Sequence, residues 1–300
     1  MTNALIQRGL VCICVLLGTS LAWHFFPMQP VLALAWFALP LWITPVLIGL
    51  QCMASNIVNR TDPAASPGLI GWLCVWRRET LAAWCVFIWW QPFRQYTIAD
   101  VWSLNRGSRR GIVLVHGFFC NRALWTPWMQ HLREQGHPFT AIDLEPAFGS
   151  ISQYAETIDA AVKRMTQATG LAPVLVGHSM GGLAIRAWLS SLGNIEQIHK
   201  VITIGTPHHG TALARWSFSK NGHEMRTNST WLTELESLEV GVSREKFICF
   251  YSSGDNIVCP ATSATLPGAD NRLIAQRGHV DLLFTHQVQT ACWQALSPTD

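Results

Sequence analysis

Two apolar, uncharged runs lie close together at the start of the chain, at 10–26 (LVCICVLLGTSLAWHFF) and 31–50 (VLALAWFALPLWITPVLIGL), separated by Pro27-Met28-Gln29-Pro30. About 20 apolar residues suffice for a helix to cross a bilayer, and two prolines in so short a joint break a helix. The pattern predicts a transmembrane helical hairpin over about 10–26 and 31–50, within a membrane anchor at 1–66. A secretory signal is the competing reading of the first run, with Arg8 as its positive region and Gly18-Thr19-Ser20 as small residues near a cleavage point. The second run follows with no mature-protein spacer, which favours an uncleaved anchor.

A third apolar stretch, 68–93 (GLIGWLCVWRRETLAAWCVFIWWQPF), carries Arg77, Arg78 and Glu79 at its centre. Each charge costs roughly 2.5 to 3.5 kcal/mol at mid-bilayer, so this segment is expected not to span. Residues 67–108 read as a Trp-rich interfacial helix and linker, with Arg77 and Arg78 among headgroups; packing on the following domain is the alternative. From Arg109 the texture changes to short β-branched runs alternating with helical patterns, the signature of a parallel sheet covered by helices. Strands are expected at 111–115, 139–143, 173–176, 200–204, 247–251 and 272–275, and helices at 151–169 and 181–192. The prediction is an α/β catalytic domain over 109–300.

Composition narrows the function. Only 13% of residues are charged and 49% are hydrophobic, and 21 Lys and Arg oppose 18 Asp and Glu. That balance gives no field for holding nucleic acid, and no protein partner is evident. Of 15 tryptophans, those at 23, 36, 42, 72, 76, 84, 89, 90 and 102 precede the α/β region, which points to a lipid-facing N-terminal third. The nine cysteines follow no zinc-like or disulfide-framework spacing.

Chemistry enters at Val174-Leu175-Val176-Gly177-His178-Ser179-Met180-Gly181-Gly182, an apolar strand running through G-x-S-x-G into a helical pattern. This is the context of a nucleophile elbow, in which Ser179 stands on a sharp turn and glycines admit the close backbone approach. A serine needs a base, itself oriented by a carboxylate. Asp255 follows the fifth expected strand and His279 the sixth, in the order Ser, Asp, His. Residues from about 111 to 290 resemble the bacterial lipases and esterases of the α/β-hydrolase fold. The likeness rests on His116-Gly117-Phe118, Gly177–Gly182, Gly205-Thr206-Pro207-His208-His209-Gly210-Thr211, Tyr251–Asp255 and Gly278-His279. It implies a mainly parallel sheet of about six strands, a Ser179–His279–Asp255 triad, an oxyanion hole formed by the backbone N–H groups of Phe118 and Met180, and no cofactor or metal.

His116 and His178 read as loop-shaping residues, His208-His209 as shaping rather than metal-binding, and Asp281 and Asp143 as weaker alternatives to Asp255. The long 211–244 connection, with Trp216 and Trp231, reads as a lid, and the Phe118 and Met180 side chains as acyl-pocket walls. The expected activity is hydrolysis of lipid-like carboxylic esters at a membrane; an acyltransferase, a thioesterase or an inactive scaffold on the same fold are the rivals. Arg8 before the first run, and Arg60, Arg77, Arg78 and Arg94 after the second, put both flanks in the cytoplasm of a bacterial inner membrane by the positive-inside rule.

Overall fold

The computed structural model describes residues 3–64, 66–102, 109–239 and 243–296. Its N-terminal part comprises α1 (Asn3–Phe25), α2 (Pro30–Phe37), α3 (Leu39–Val58) and α4 (Leu69–Ala83), which continues through a π-helical segment (Trp84–Trp90) into the single turn α5 (Gln91–Phe93). Then follow β1 (Ile112–Val115), α6 (Thr126–Gln135), β2 (Phe139–Ile142), α7 (Ala155–Thr169), β3 (Val174–His178), α8 (Met180–Ser191) and β4 (Lys200–Ile204). The chain closes with α9 (Lys220–Glu224), α10 (Thr230–Leu238), β5 (Phe247–Tyr251), β6 (Asp270–Leu273) and α11 (His286–Leu296).

The six strands form one sheet in the order β2-β1-β3-β4-β5-β6, all parallel. Parallel strands covered on both faces are apolar at every position, because successive side chains alternate between two cores. In β1, Ile112 and Leu114 join the core with Trp125, Trp128 and α11, while Val113 and Val115 join the core with α7 and α8. The edge strand β6 differs from its expected 272–275 because Asp270, Asn271 and Arg272 are exposed, and pairing with β5, rather than an apolar pattern, defines it.

The second apolar run, expected as one helix over 31–50, is two helices. Pro40 has no N–H for the Trp36 carbonyl, so the helix cannot run through and restarts beyond Ala38. Pro45, inside α3, likewise leaves the Leu41 carbonyl without its helical donor, and the Trp84 indole N–H fills that place at 3.1 Å. Asn3–Phe25 and Leu41–Thr61 are long and apolar enough to cross a membrane. The Trp-rich helix α4 packs one face on the α/β body, with Val86, Ala82, Phe87 and Trp90 against the α6–α11 core, and leaves Leu69, Ile70 and Leu73 exposed.

Candidate active site

Ser179 sits between β3 and α8 with φ 54° and ψ −128°, a backbone conformation L residues rarely adopt and one that costs on the order of 1–3 kcal/mol. Neighbouring backbone holds it there. A Cβ on Gly177 would lie 2.6 Å from the Gly182 nitrogen, and one on Gly181 would lie 2.6 Å from the His116 carbonyl oxygen, so both positions exclude a side chain. The Ser179 N–H donates to the Ile204 carbonyl at 2.9 Å, tying the turn to the end of β4.

His279 and Asp255 meet at the carboxyl end of the sheet, with His279 Nδ1 2.9 Å from Asp255 Oδ2. The other carboxylate oxygen accepts the N–H groups of Ile257 and Val258, both at 2.8 Å, which fixes the carboxylate plane. Gly205, at φ 56°, leaves room for the pair: a Cβ there would sit 3.1 Å from Asp255 Oδ2 and 3.2 Å from His279 Nδ1. Burial alone would depress the His279 pKa, but the charge and hydrogen bond of Asp255, with Glu79 behind it, outweigh burial and hold it above the usual imidazole value.

The remaining sequence candidates divide clearly. Leu144 N–H donates to His116 Nε2, so Nδ1 carries the proton and donates to the Gly117 carbonyl at 2.9 Å; the ring is neutral and shapes its loop. His178 Nε2 lies 3.1 Å from the His279 carbonyl, which can only accept, so Nε2 is the protonated atom; burial and the neighbouring His279 push its pKa well down. His208 Nε2 faces the Thr203 hydroxyl at 3.0 Å, away from the dyad. Asp281 pairs with Arg277, and Asp143 accepts from Arg122, Gln95 and Tyr96, so neither takes the place of Asp255.

Ser179, His279, His178 and Phe118 line one cavity of about 610 Å³. Two expectations about its walls are corrected. The Met180 side chain is buried in the α7–α8 core and does not line this cavity. Nor, among the described residues, does the 211–244 connection line it, for that segment packs on the turn at 150–154 that leads into α7. There Glu224 accepts from Ser150 Oγ and Ile151 N at 2.7 Å each, and Trp231 donates to Ser152 Oγ, while Trp216 points outward. The cavity's other walls come from α1, α3, α4 and Phe87. Cys120 also lines it, but burial pushes that thiol up to about 12, so it offers no competing nucleophile.

Sequence reasoning missed the polar side chains that fasten these helices to the site. The Asn3 and Gln7 amides donate to the Cys120 and Phe119 carbonyls, at 2.6 and 2.7 Å. Ser55 Oγ donates to the Asp255 carbonyl at 2.6 Å, and Gln51 accepts from Asn256, whose own Oδ1 accepts the His279 N–H. On α4, Glu79 is 2% exposed and accepts the N–H groups of Val280 and Asp281 directly after His279. Desolvation raises its pKa to about 7, even though those N–H groups act to lower it. The signal was present as spacing, since 3 and 7, like 51, 55 and 59, recur at helical intervals on one face.

The sequence model of the alpha/beta hydrolase fold family matches residues 112–283, from β1 to the loop beyond His279. A pimeloyl-[acyl-carrier protein] methyl ester esterase of Vibrio cholerae is 27% identical over 121 residues, 40% of this chain and 46% of that protein, so the chain spans under half of that relative. The mature Bacillus licheniformis lipase BlEst2 superposes with a TM-score of 0.58 at 18% identity, covering 67% of this chain and 97% of that one. Aspergillus fumigatus lipase B gives a TM-score of 0.53 at 14% identity, over 82% of this chain and 65% of the other. At these identities the likeness is one of fold. With the family's pattern running through more than half of its length, the chain belongs to the alpha/beta hydrolase fold family.

Proposed function

We propose that this protein is a membrane-anchored serine hydrolase that cleaves carboxylic esters with lipid-like acyl groups through an acyl-enzyme on Ser179. The observation that carries the reading is the strained Ser179 and His279 lining one largely apolar cavity, with Asp255 bonded to the imidazole behind. His279 Nε2 takes the Ser179 proton as Oγ adds to the ester carbonyl. The N–H groups of Phe118 and Met180 receive the developing oxyanion; being fixed on backbone, they need no reorganisation, and one such donor is worth about 2.7–4 kcal/mol. The tetrahedral adduct then expels the alcohol, which leaves with the proton from His279. Water, deprotonated by the same imidazole, releases the acid and restores Ser179. Asp255 holds the imidazole with its proton on Nδ1 throughout. The lipase and esterase names among the structural neighbours and the Vibrio relative agree with ester chemistry.

The anchor in this proposal is α1 to α3, with the catalytic domain on the cytoplasmic face. Labelling of detergent-solubilised protein by a fluorophosphonate, with Ser179→Ala as the blank, tests the nucleophile; equal labelling of both proteins would refute it. Alkaline phosphatase fused near residue 105 is expected to be inactive, because it needs an oxidising compartment. An active fusion would reverse the topology.

A further inference from the structure

The cavity beside Ser179 changes chemistry along its length, and the change follows two helices. On α1, Asn3 and Gln7 dock on the catalytic loops, and Leu10, Val11 and Cys14 follow along the helix. On α3, which runs the other way, Ile43, Leu47 and Ile48 come first and Gln51 and Ser55 reach the Asp255 loop. Both helices therefore place amides at the reacting end and, apart from Thr44 on α3, apolar side chains beyond it. At 1.5 Å per residue, the lined stretches Gln7–Cys14 and Ile43–Gln51 each cover roughly 10 Å. Leu10 and Leu47 line the cavity and are also 49% and 52% exposed, so the cleft reaches the outer surface of the hairpin. At the polar end, buried His178 has Nδ1 without a protein partner.

We propose that α1 and α3 are the acyl-binding element of the enzyme as well as its anchor: the ester carbonyl lies at Ser179, and its acyl chain lies between the two helices, entering sideways from the bilayer. The proposal rests on the reading of Ser179 as nucleophile and adds what sets acyl length. A chain passing from lipid into an aliphatic cleft never exposes its methylenes to water. Each methylene that a blocked cleft forces into water instead costs about 0.8 kcal/mol, or roughly fourfold in kcat/KM. The distal residues Cys14 and Ile43 are then the length gauge.

The test uses the full chain in one detergent and p-nitrophenyl esters of four to sixteen carbons. Cys14→Trp and Ile43→Trp, which fill the distal cleft, are expected to lower the ratio of kcat/KM for the sixteen-carbon ester to that for the four-carbon ester by tenfold or more. Cys14→Leu, a smaller filler, moves the ratio the same way by a smaller factor and serves where Trp is not accommodated. Leu16→Trp, at an exposed position outside the cleft, leaves the ratio and the activity unchanged. A constant ratio in every cleft variant, with fluorophosphonate still labelling Ser179, overturns the gauge and leaves the serine hydrolase standing. Wild-type protein that does not label takes both down.

Discussion

The carboxyl end of the sheet and the N-terminal helices meet at one cavity, but they are held to it by different means. The elbow around Ser179 is set by backbone: glycines that admit no Cβ, and an N–H to the Ile204 carbonyl. The helical wall is set by side chains, with Asn3, Gln7, Gln51, Ser55 and Glu79 each reaching a catalytic loop. A backbone-set site fails all at once when its sterics are violated. A side-chain-set wall can lose its members one at a time, so its geometry is open to graded change.

The largest effect is expected from Ser179→Ala, which removes the nucleophile but none of the packing: turnover should fall about 10⁴-fold or more with the melting temperature unmoved. Full activity would end the proposed mechanism. On the helical side, Glu79→Ala leaves the buried N–H groups of Val280 and Asp281 without acceptors, at about 1–3 kcal/mol each, and loosens His279. Turnover is expected to drop roughly 10²-fold, with Glu79→Gln recovering part of it. Equal losses in the two variants would assign the effect to the carboxylate alone and contradict this recovery, whereas full activity in Glu79→Gln would assign Glu79 to packing.

pH sharpens the contrast further. The base in the proposed mechanism is neutral imidazole, and the His279 pKa is raised, so activity should climb through a midpoint above the ordinary value of about 6.5. Glu79 helps to raise it, so Glu79→Gln should move this limb to lower pH. Stability runs the opposite way. The His279–Asp255 contribution is complete below the ordinary imidazole value and is lost as pH rises through the raised one. Glu79, raised from 4.5 to about 7, keeps a proton that the unfolded chain releases, so it too makes stability decline across that window. Buried His178, whose pKa is pushed down, works in the opposite sense, so the sign is read from the wild-type melting temperature minus that of Glu79→Gln, which should fall from pH 5 to pH 8; a difference that rose would contradict it. The smallest effect belongs to Ser55→Ala, which deletes one hydrogen bond to the Asp255 carbonyl and should cost about 1 kcal/mol of stability, readable by thermal melting.

The same division governs what could be read from residues alone. The G-x-S-x-G elbow and the later loops bearing Asp255 and His279 announce themselves because backbone geometry demands particular residue types in a fixed order. β4 and β5 fell at their expected residues for a related reason, since two-sided burial favours the β-branched residues, Thr203 among them, and the aromatic residues that dominate both runs, Lys200 of β4 apart. Glu79 was visible only as a charge that spoiled an apolar run; its partners lie about 200 positions away, and no local spacing encodes them. The lid was sought in 211–244 because its length and tryptophans suggested one, whereas the cavity's remaining walls come from helices earlier in the chain. The break at Ala38 was legible in Pro40 but was outweighed by the apolarity of the run.

The amides of Asn3 and Gln7 have a consequence for biosynthesis. Asn3 finds its acceptor at Cys120, 117 positions later, and contacts of such separation form late because loop closure must precede them. α1 thus waits for the loop that follows β1, and a chain stalled, clipped or misrouted before that moment lacks the Asn3 bond to the Cys120 carbonyl. Hydrolysis would then switch on only once α1 and the sheet have joined, sparing the cell an unfinished hydrolase while the protein is still being made.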